Sequence, residues 1–197
     1  HSLETAGIRC VSGNGLNLFD TPEIDTFRSL LLTIQNPRQD IPLISVLASP
    51  LFGFTADDLA RVRFRGIKGS FYDALVLDND PRTERFKRIL ALLRQESRMN
   101  TLTGLLEKCI ILTDMDCVYA AMSDGEVKNA NIQSLFQLAS EYENGGLRDL
   151  IQFLDYLDSL ERKGFPAASV SGQAAVRVMS IHKSKGLEFP VVFLSNL

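Results

Sequence analysis

The chain has 197 residues, 45% of them hydrophobic, and a formal net charge of −3 at pH 7, so it is long enough to bury a substantial core. No run approaches the roughly 18 apolar residues needed to span a bilayer, and the first residues lack the charged, apolar, small-residue order of a secretion signal. A soluble cytoplasmic protein is the expectation, and the slightly acidic balance gives by itself no reason to expect nucleic acid. Cys10, Cys109 and Cys117 are odd in number and lack paired spacing; they read as small buried hydrophobes, with no metal site expected.

In chain order, the β-branched stretch IRCV (8–11) before SGNG predicts a strand and turn. A helix follows, with Thr21 as N-cap, Pro22 in its first turn, and Ile24, Phe27, Leu31 and Ile34 at helical spacing. Asn36-Pro37 ends it. Thr55 and Asp58 mark a helix through Arg63, Ser70 starts another through FYDALVL, and Asp80-Pro81 opens a long one. In that helix Phe86, Ile89, Leu90 and Leu93 share one face while Lys87, Arg94 and Arg98 lie on the other. Further helices are predicted through TLTGLLEKCIIL, NIQSLFQLASEY and LRDLIQFLDYLDSLERK. In the last, Leu147, Leu150, Ile151, Leu154 and Leu157 form the stripe and Gly164 the C-cap. Asp114 and Asp116 read as helix-start acids.

Charge is unevenly spread. Residues 61–98 carry ten Lys and Arg against five acids, and residues 107–161 carry three against eleven. Two surfaces with different partners, or two ordinary solvated helix faces, both follow from that asymmetry.

After Gly164 the period changes. Residues 165–173 read as a linker, and VRVMSI and PVVFL as two short buried strands. Such strands need partners, and the other strand candidate lies near residue 8, so the two ends of the chain are expected to meet. Between the two runs lies the turn SIHKSKGLEF, 180–189. Loops at strand ends are where α/β proteins hold anions. His182, Lys183 and Lys185 supply donors, Ser184 a hydroxyl, and Gly186 a close backbone approach. Glu188 is an acceptor better suited to a sugar hydroxyl than to phosphate. Chemistry alone leaves both a phosphate-binding loop and a plain solvated turn open.

The stretch VRVMSIHKSKGLEFPVVFL closely resembles motif V of the UvrD/Rep-like superfamily 1 DNA helicases: an apolar strand, T-[IL]-H-x-[SA]-K-G-L-E-F, and a second apolar strand. Ser180 stands in place of the usual threonine and keeps the hydroxyl. The segments NPRQDIPL, SPLFGFT, GSFYDAL and GLRDLIQFLDYLDSLERKG extend the likeness to the AddA-type subunit of bacterial helicase–nucleases. The resemblance implies a mainly α chain: a helical 2B-type insertion domain attached to a small α/β remnant of a RecA-like P-loop motor domain. Residues 1–53 and 171–197 would be parts of motor domain 2A, and 54–170 the 2B insertion.

It further implies that Ser180, His182, Lys183, Ser184 and Lys185 meet single-stranded DNA while Gly186 and Glu188 meet the nucleotide. The implied activity is ATP-dependent helicase and exonuclease action in processing double-strand DNA ends for recombinational repair. ATP and Mg2+ would be the cofactors, an AddB-type subunit the partner, and the nucleoid the location. No GxxxxGK[ST] occurs in these residues, so the chain alone is expected not to hydrolyse ATP, to hold no catalytic residue and to be a piece of a larger enzyme. Arg61, Arg65, Lys87, Arg94 and Arg98 are expected to face duplex DNA. The alternatives are a 2B-type protein-interaction module and a piece of a UvrD-type repair helicase without nuclease.

Overall fold

The computed structural model describes residues 10–12, 17–64, 69–146, 149–168, 176–178, 181–185 and 188–194. The chain is mainly helical and forms two compact units, one spanning Asn17–Ala168 and one made of the chain to either side of it.

In the smaller unit, strand β1 (Cys10–Ser12) pairs in parallel with strand β2 (Val176–Val178), with Cys10 beside Val176 and Ser12 beside Val178. The ends of the chain therefore meet, as the sequence predicts. The expected second C-terminal strand does not form: residues 191–194 carry no strand hydrogen bonding, and Phe193 is 89% exposed. An extended apolar run becomes a strand only beside a neighbour that takes up its backbone groups. Among the described residues β1 and β2 pair with each other alone.

The larger unit contains helices α1 (Pro22–Gln35), α2 (Asp40–Ala48), α3 (Ala56–Phe64), α4 (Phe71–Val76) and α5 (Pro81–Met99), followed by α6 (Leu102–Thr113), α7 (Met115–Ala120), α8 (Gly125–Asn144) and α9 (Leu150–Lys163). Helix α1 is central and packs on α2, α5, α8 and α9, because Ile24, Phe27, Leu30, Leu31 and Ile34 are all buried. Residues 17–53 thus pack with the helices that follow them, and the expected limit at residue 53 lies inside this unit.

Local chemistry explains most helix starts. Thr55 and Asp58 bond each other reciprocally at α3. Ser70 and Asp73 form a capping box at α4, and Asp80 accepts from Arg82 N at 2.9 Å ahead of Pro81. Thr21 occupies the N-cap of α1, but its hydroxyl donates to the Leu18 carbonyl at 2.7 Å instead of capping the helix. Gly125 is demanded by space, since a Cβ there would collide with the Ala120 carbonyl.

Helix α2 forms over DIPLISVLA with Pro42 in its first turn, where no intrahelical donor is lost. Two expectations need correction. Along α9 the buried stripe is Phe153, Leu154 and Leu157, with Ile151 52% exposed. Leu147 lies outside the described residues. Cys109 is buried as expected, but Cys117 is exposed.

The chain enters and leaves this unit at one polar clasp. Leu18 N donates to the Phe165 carbonyl at 2.7 Å, Phe165 N to Asn17 Oδ1 at 3.3 Å, and Asn17 Nδ2 to the Glu161 carbonyl at 3.0 Å. Beside it lies Glu23 of α1, only 1% exposed. Its Oε1 accepts from Asn131 Nδ2 at 2.6 Å, and Oε2 lies 3.8 Å from Lys128 Nζ. Asn131 Oδ1 in turn accepts from Ala168 N at 2.6 Å. One amide side chain therefore satisfies one oxygen of a buried carboxylate on α1 and ties down the departing backbone. A buried carboxylate stripped of its donor is costly.

A second polar cluster joins α3 to α5. Asp58 takes Arg82 in two contacts, at 3.0 and 2.9 Å, and also pairs with Arg61. Arg82 above all, together with Thr55 and Arg61, holds the Asp58 carboxyl well below the usual carboxylate range.

Three outcomes follow from this packing. Asn131→Ala should cost about 1–3 kcal/mol in denaturant unfolding, against near zero for Asn129→Ala as a neighbouring control. Because the folded-state pKa of Asp58 is depressed, its contribution is present above the ordinary Asp value of about 3.9 and is lost as pH falls through the lowered one. Melting temperature should therefore fall with acidification below about pH 4, and less steeply in Asp58→Asn. Burial pushes the Cys109 thiol up, and the charge of Asp116, with lesser help from burial and Asp114, raises that of Cys117. In native protein one thiol, Cys117, should react with iodoacetamide in these two peptides, more slowly than a free thiol and faster as pH rises.

Candidate nucleic-acid interface

A parallel pair fixes which strand ends lie together. With Ser12 beside Val178, β1 and β2 both finish at the same edge, the edge at which open α/β sheets carry ligands. The chain leaving β2 enters a single helical turn, α10 (Ile181–Ser184), where the sequence suggested an open loop. Ser184 Oγ donates to the Ile181 carbonyl at 2.8 Å and closes that turn. Lys185 and Glu188 are exposed, and Phe189 is half-buried. The side chains of His182 and Lys183, and residues Ser180 and Gly186 entirely, lie outside the described residues.

The basic face expected on the helical unit separates into two kinds of residue. Arg61 pairs with Asp58 and lies 3.7 Å from Asp80. The Lys87 ammonium donates to the carbonyls of Val76 and Asp78 at 3.1 and 3.0 Å and pairs with Glu84 at 2.6 Å, closing the end of α4. Arg82 and Arg85 stand over the rings of Phe54 and Phe52. These cations are spent on holding α3, α4 and α5 together. Arg94 and Arg98 differ: among the described residues no carboxylate lies within 4 Å of either, and Arg94 Nη1 is shielded from solvent without an acceptor. Arg65 lies outside the described residues.

Both free arginines line an open cleft of about 530 Å3 along α5. Lys87, Leu90, Arg94 and Arg98, with Ala91 and Gln95 interleaved, form one helical stripe, and Tyr72 of α4 stands across from it. Tyr72, Gln95 and Met99 were not anticipated as site residues. The i, i+4, i+8 recurrence of Lys87, Ala91 and Gln95 beside the arginines was the available signal, whereas Tyr72 is brought in by tertiary packing alone. Among the described residues no group of acids, histidines and cysteines could hold a metal ion, and no helix is long and apolar enough to cross a membrane.

The sequence profile of the UvrD-like helicase C-terminal domain matches residues 1–197. The chain is 37% identical over 206 residues to the A subunit of the ATP-dependent helicase/nuclease of Desulforamulus reducens, covering 99% of this chain and 17% of that protein. Identity to the corresponding helicase/nuclease protein of Ruminiclostridium cellulolyticum is 40% over 202 residues, with 98% and 16% covered. For that of Exiguobacterium sibiricum it is 39% over 189 residues, with 91% and 16% covered. The chain thus spans about a sixth of the length of the curated relatives it matches. With the motif V turn at the end of β2 and the profile running its full length, the chain belongs to the UvrD-like helicase C-terminal domain family.

Proposed function

We propose that this chain is part of an AddA-type ATP-dependent DNA helicase and exonuclease that processes double-strand ends for recombinational repair, acting in the cytoplasm at the nucleoid. The observation that carries this is the SIHKSKGLEF turn, which leaves β2 at the edge where β1 also ends. In this reading the paired strands and α10 belong to motor domain 2A and the helices to the inserted 2B domain. Sequence limits of 1–53, 54–170 and 171–197 differ from the packing units chiefly in where α1 and α2 fall.

The chemistry of the turn divides by charge. Lys183 and Lys185 meet the phosphates of a single strand as point charges, His182 and the hydroxyls of Ser180 and Ser184 fix its register, and Gly186 lets the nucleotide come close to the backbone. Glu188 faces the nucleotide sugar, so one short segment senses both ATP and strand. A shift of the turn on nucleotide binding or hydrolysis would then move its grip on the DNA. ATP and Mg2+ would be held mainly by motifs of the whole enzyme that these residues do not contain, and a second subunit of AddB type would complete it. The basic side of α5, with Arg61, Arg65, Lys87, Arg94 and Arg98, would face duplex DNA, carried chiefly by Arg94 and Arg98, which have no carboxylate partner among the described residues.

Titration of labelled oligo-dT tests the turn. Replacing Lys183 and Lys185 by Ala should weaken binding and lower the log affinity against log salt slope by about 1.4, at about 0.7 for each phosphate neutralised on a single strand. An unchanged slope would remove the turn from the interface.

A further inference from the structure

The cleft on α5 holds an arrangement that duplex contact alone does not account for. Arg98 is exposed and suits a phosphate riding on the surface. Arg94, one turn earlier, is half-buried, and its Nη1 is closed off from solvent with no acceptor among the described residues. A buried guanidinium donor without a partner is unfavourable until an anion or carbonyl reaches it. The phosphates of a regular duplex follow a stiff, convex surface, whereas an unpaired nucleotide can bend into a recess. The walls are suited to such a guest. Tyr72, half-buried, offers a ring; Leu90, Ala91 and Met99 add apolar surface; Gln95 offers an amide that can both donate and accept.

We propose that this cleft receives one unpaired nucleotide of DNA, its phosphate held between Arg94 and Arg98 and its base lying against Tyr72 and Met99. The spacing supports it, since Arg94 and Arg98 are four residues apart on one helix and so present two forked donors to the same phosphate or to successive ones. Lys87 does not bind in this arrangement. Its ammonium is held by the Val76 and Asp78 carbonyls and by Glu84, so it forms the end wall and adds positive field. Base stacking on an aromatic ring is tolerant of sequence, so the site would hold any base, with some gain for purines. The proposal rests on the DNA reading above and adds to it a distinct site for single-stranded DNA at a junction with duplex, on the helical unit itself.

The test uses the 197-residue chain carrying Lys183→Ala and Lys185→Ala, so that the turn after β2 does not mask the cleft. Blunt duplex is compared with the same duplex bearing an oligo-dT tail that contains one 2-aminopurine. The tail should raise affinity about tenfold, with quenching of the probe on stacking. Arg94→Gln should abolish the tail's advantage, so that tailed and blunt duplex bind alike whatever the variant costs blunt duplex itself. Tyr72→Leu should remove the quenching, and Tyr72→Phe retain it. Arg98→Gln, at an exposed position, supplies a variant whose folding is not at issue and should lower both affinities. A tail that adds nothing, or an advantage unchanged in Arg94→Gln and Tyr72→Leu, would overturn the cleft assignment while leaving duplex binding in place. Absence of binding to either DNA would overturn the wider reading with it. Displacement of the tail from Arg94 without quenching, by an acidic Leu-containing peptide that binds more tightly than the tail, would assign the cleft to a protein partner instead.

Discussion

Parallel pairing between Cys10–Ser12 and Val176–Val178 is the constraint on which the remaining architecture depends. Adjacent parallel strands cannot be joined by a tight turn, because the chain must return to the starting edge before the second strand begins. Here the whole helical unit, Asn17–Ala168, lies within that connection. The same pairing sends both strands out at one edge, and so determines where the cationic turn emerges. A single residue of register slip would displace Val178 relative to Ser12 and re-aim the turn.

The helical unit meets the demand of such an interruption by closing on itself. Asn17 and Phe165 hold the entering and leaving segments together, and Asn131 links the buried Glu23 to the Ala168 backbone. Its charges then serve two ends. Arg82 and Arg61 are drawn onto Asp58, and Lys87 onto carbonyls at the end of α4, so a large part of the positive face stabilises helix ends. Among the described residues, what is left over on α5 is the exposed Arg88 and the pair Arg94 and Arg98 beside Tyr72. Net basicity over residues 61–98 therefore overstates the cation available to a partner, and the pairing geometry identifies which groups remain.

Legibility in the sequence followed the range of the interaction. Pro22, the Ser70 and Asp73 pair, and Asp80-Pro81 act within one turn, and the helices they begin were readable in advance. Membership of the family was legible too, because the SIHKSKGLEF pattern is confined to ten consecutive residues. Helix α2 was not, since Pro42 is compatible with either a helix start or a loop, and its choice is made by burial of Leu43, Val46 and Leu47. Nor was the fate of PVVFL, whose apolar pattern requires a neighbouring strand that no local signal specifies. The cleft was half legible: its arginines lie in helical register, but Tyr72 reaches it only through the packing of α4 beside α5. Pairing of Arg61 and Lys87 with internal acceptors was equally hidden, being settled by tertiary distances rather than by spacing.

Photocrosslinking puts the central assignment to its most direct test. A 5-bromodeoxyuridine oligonucleotide irradiated with the chain and mapped by peptide mass should form adducts within residues 180–189, diminished by competitor single strands and by high salt. Adducts found throughout the helical unit with none in that peptide would contradict the placement of a strand-binding turn at the end of β2.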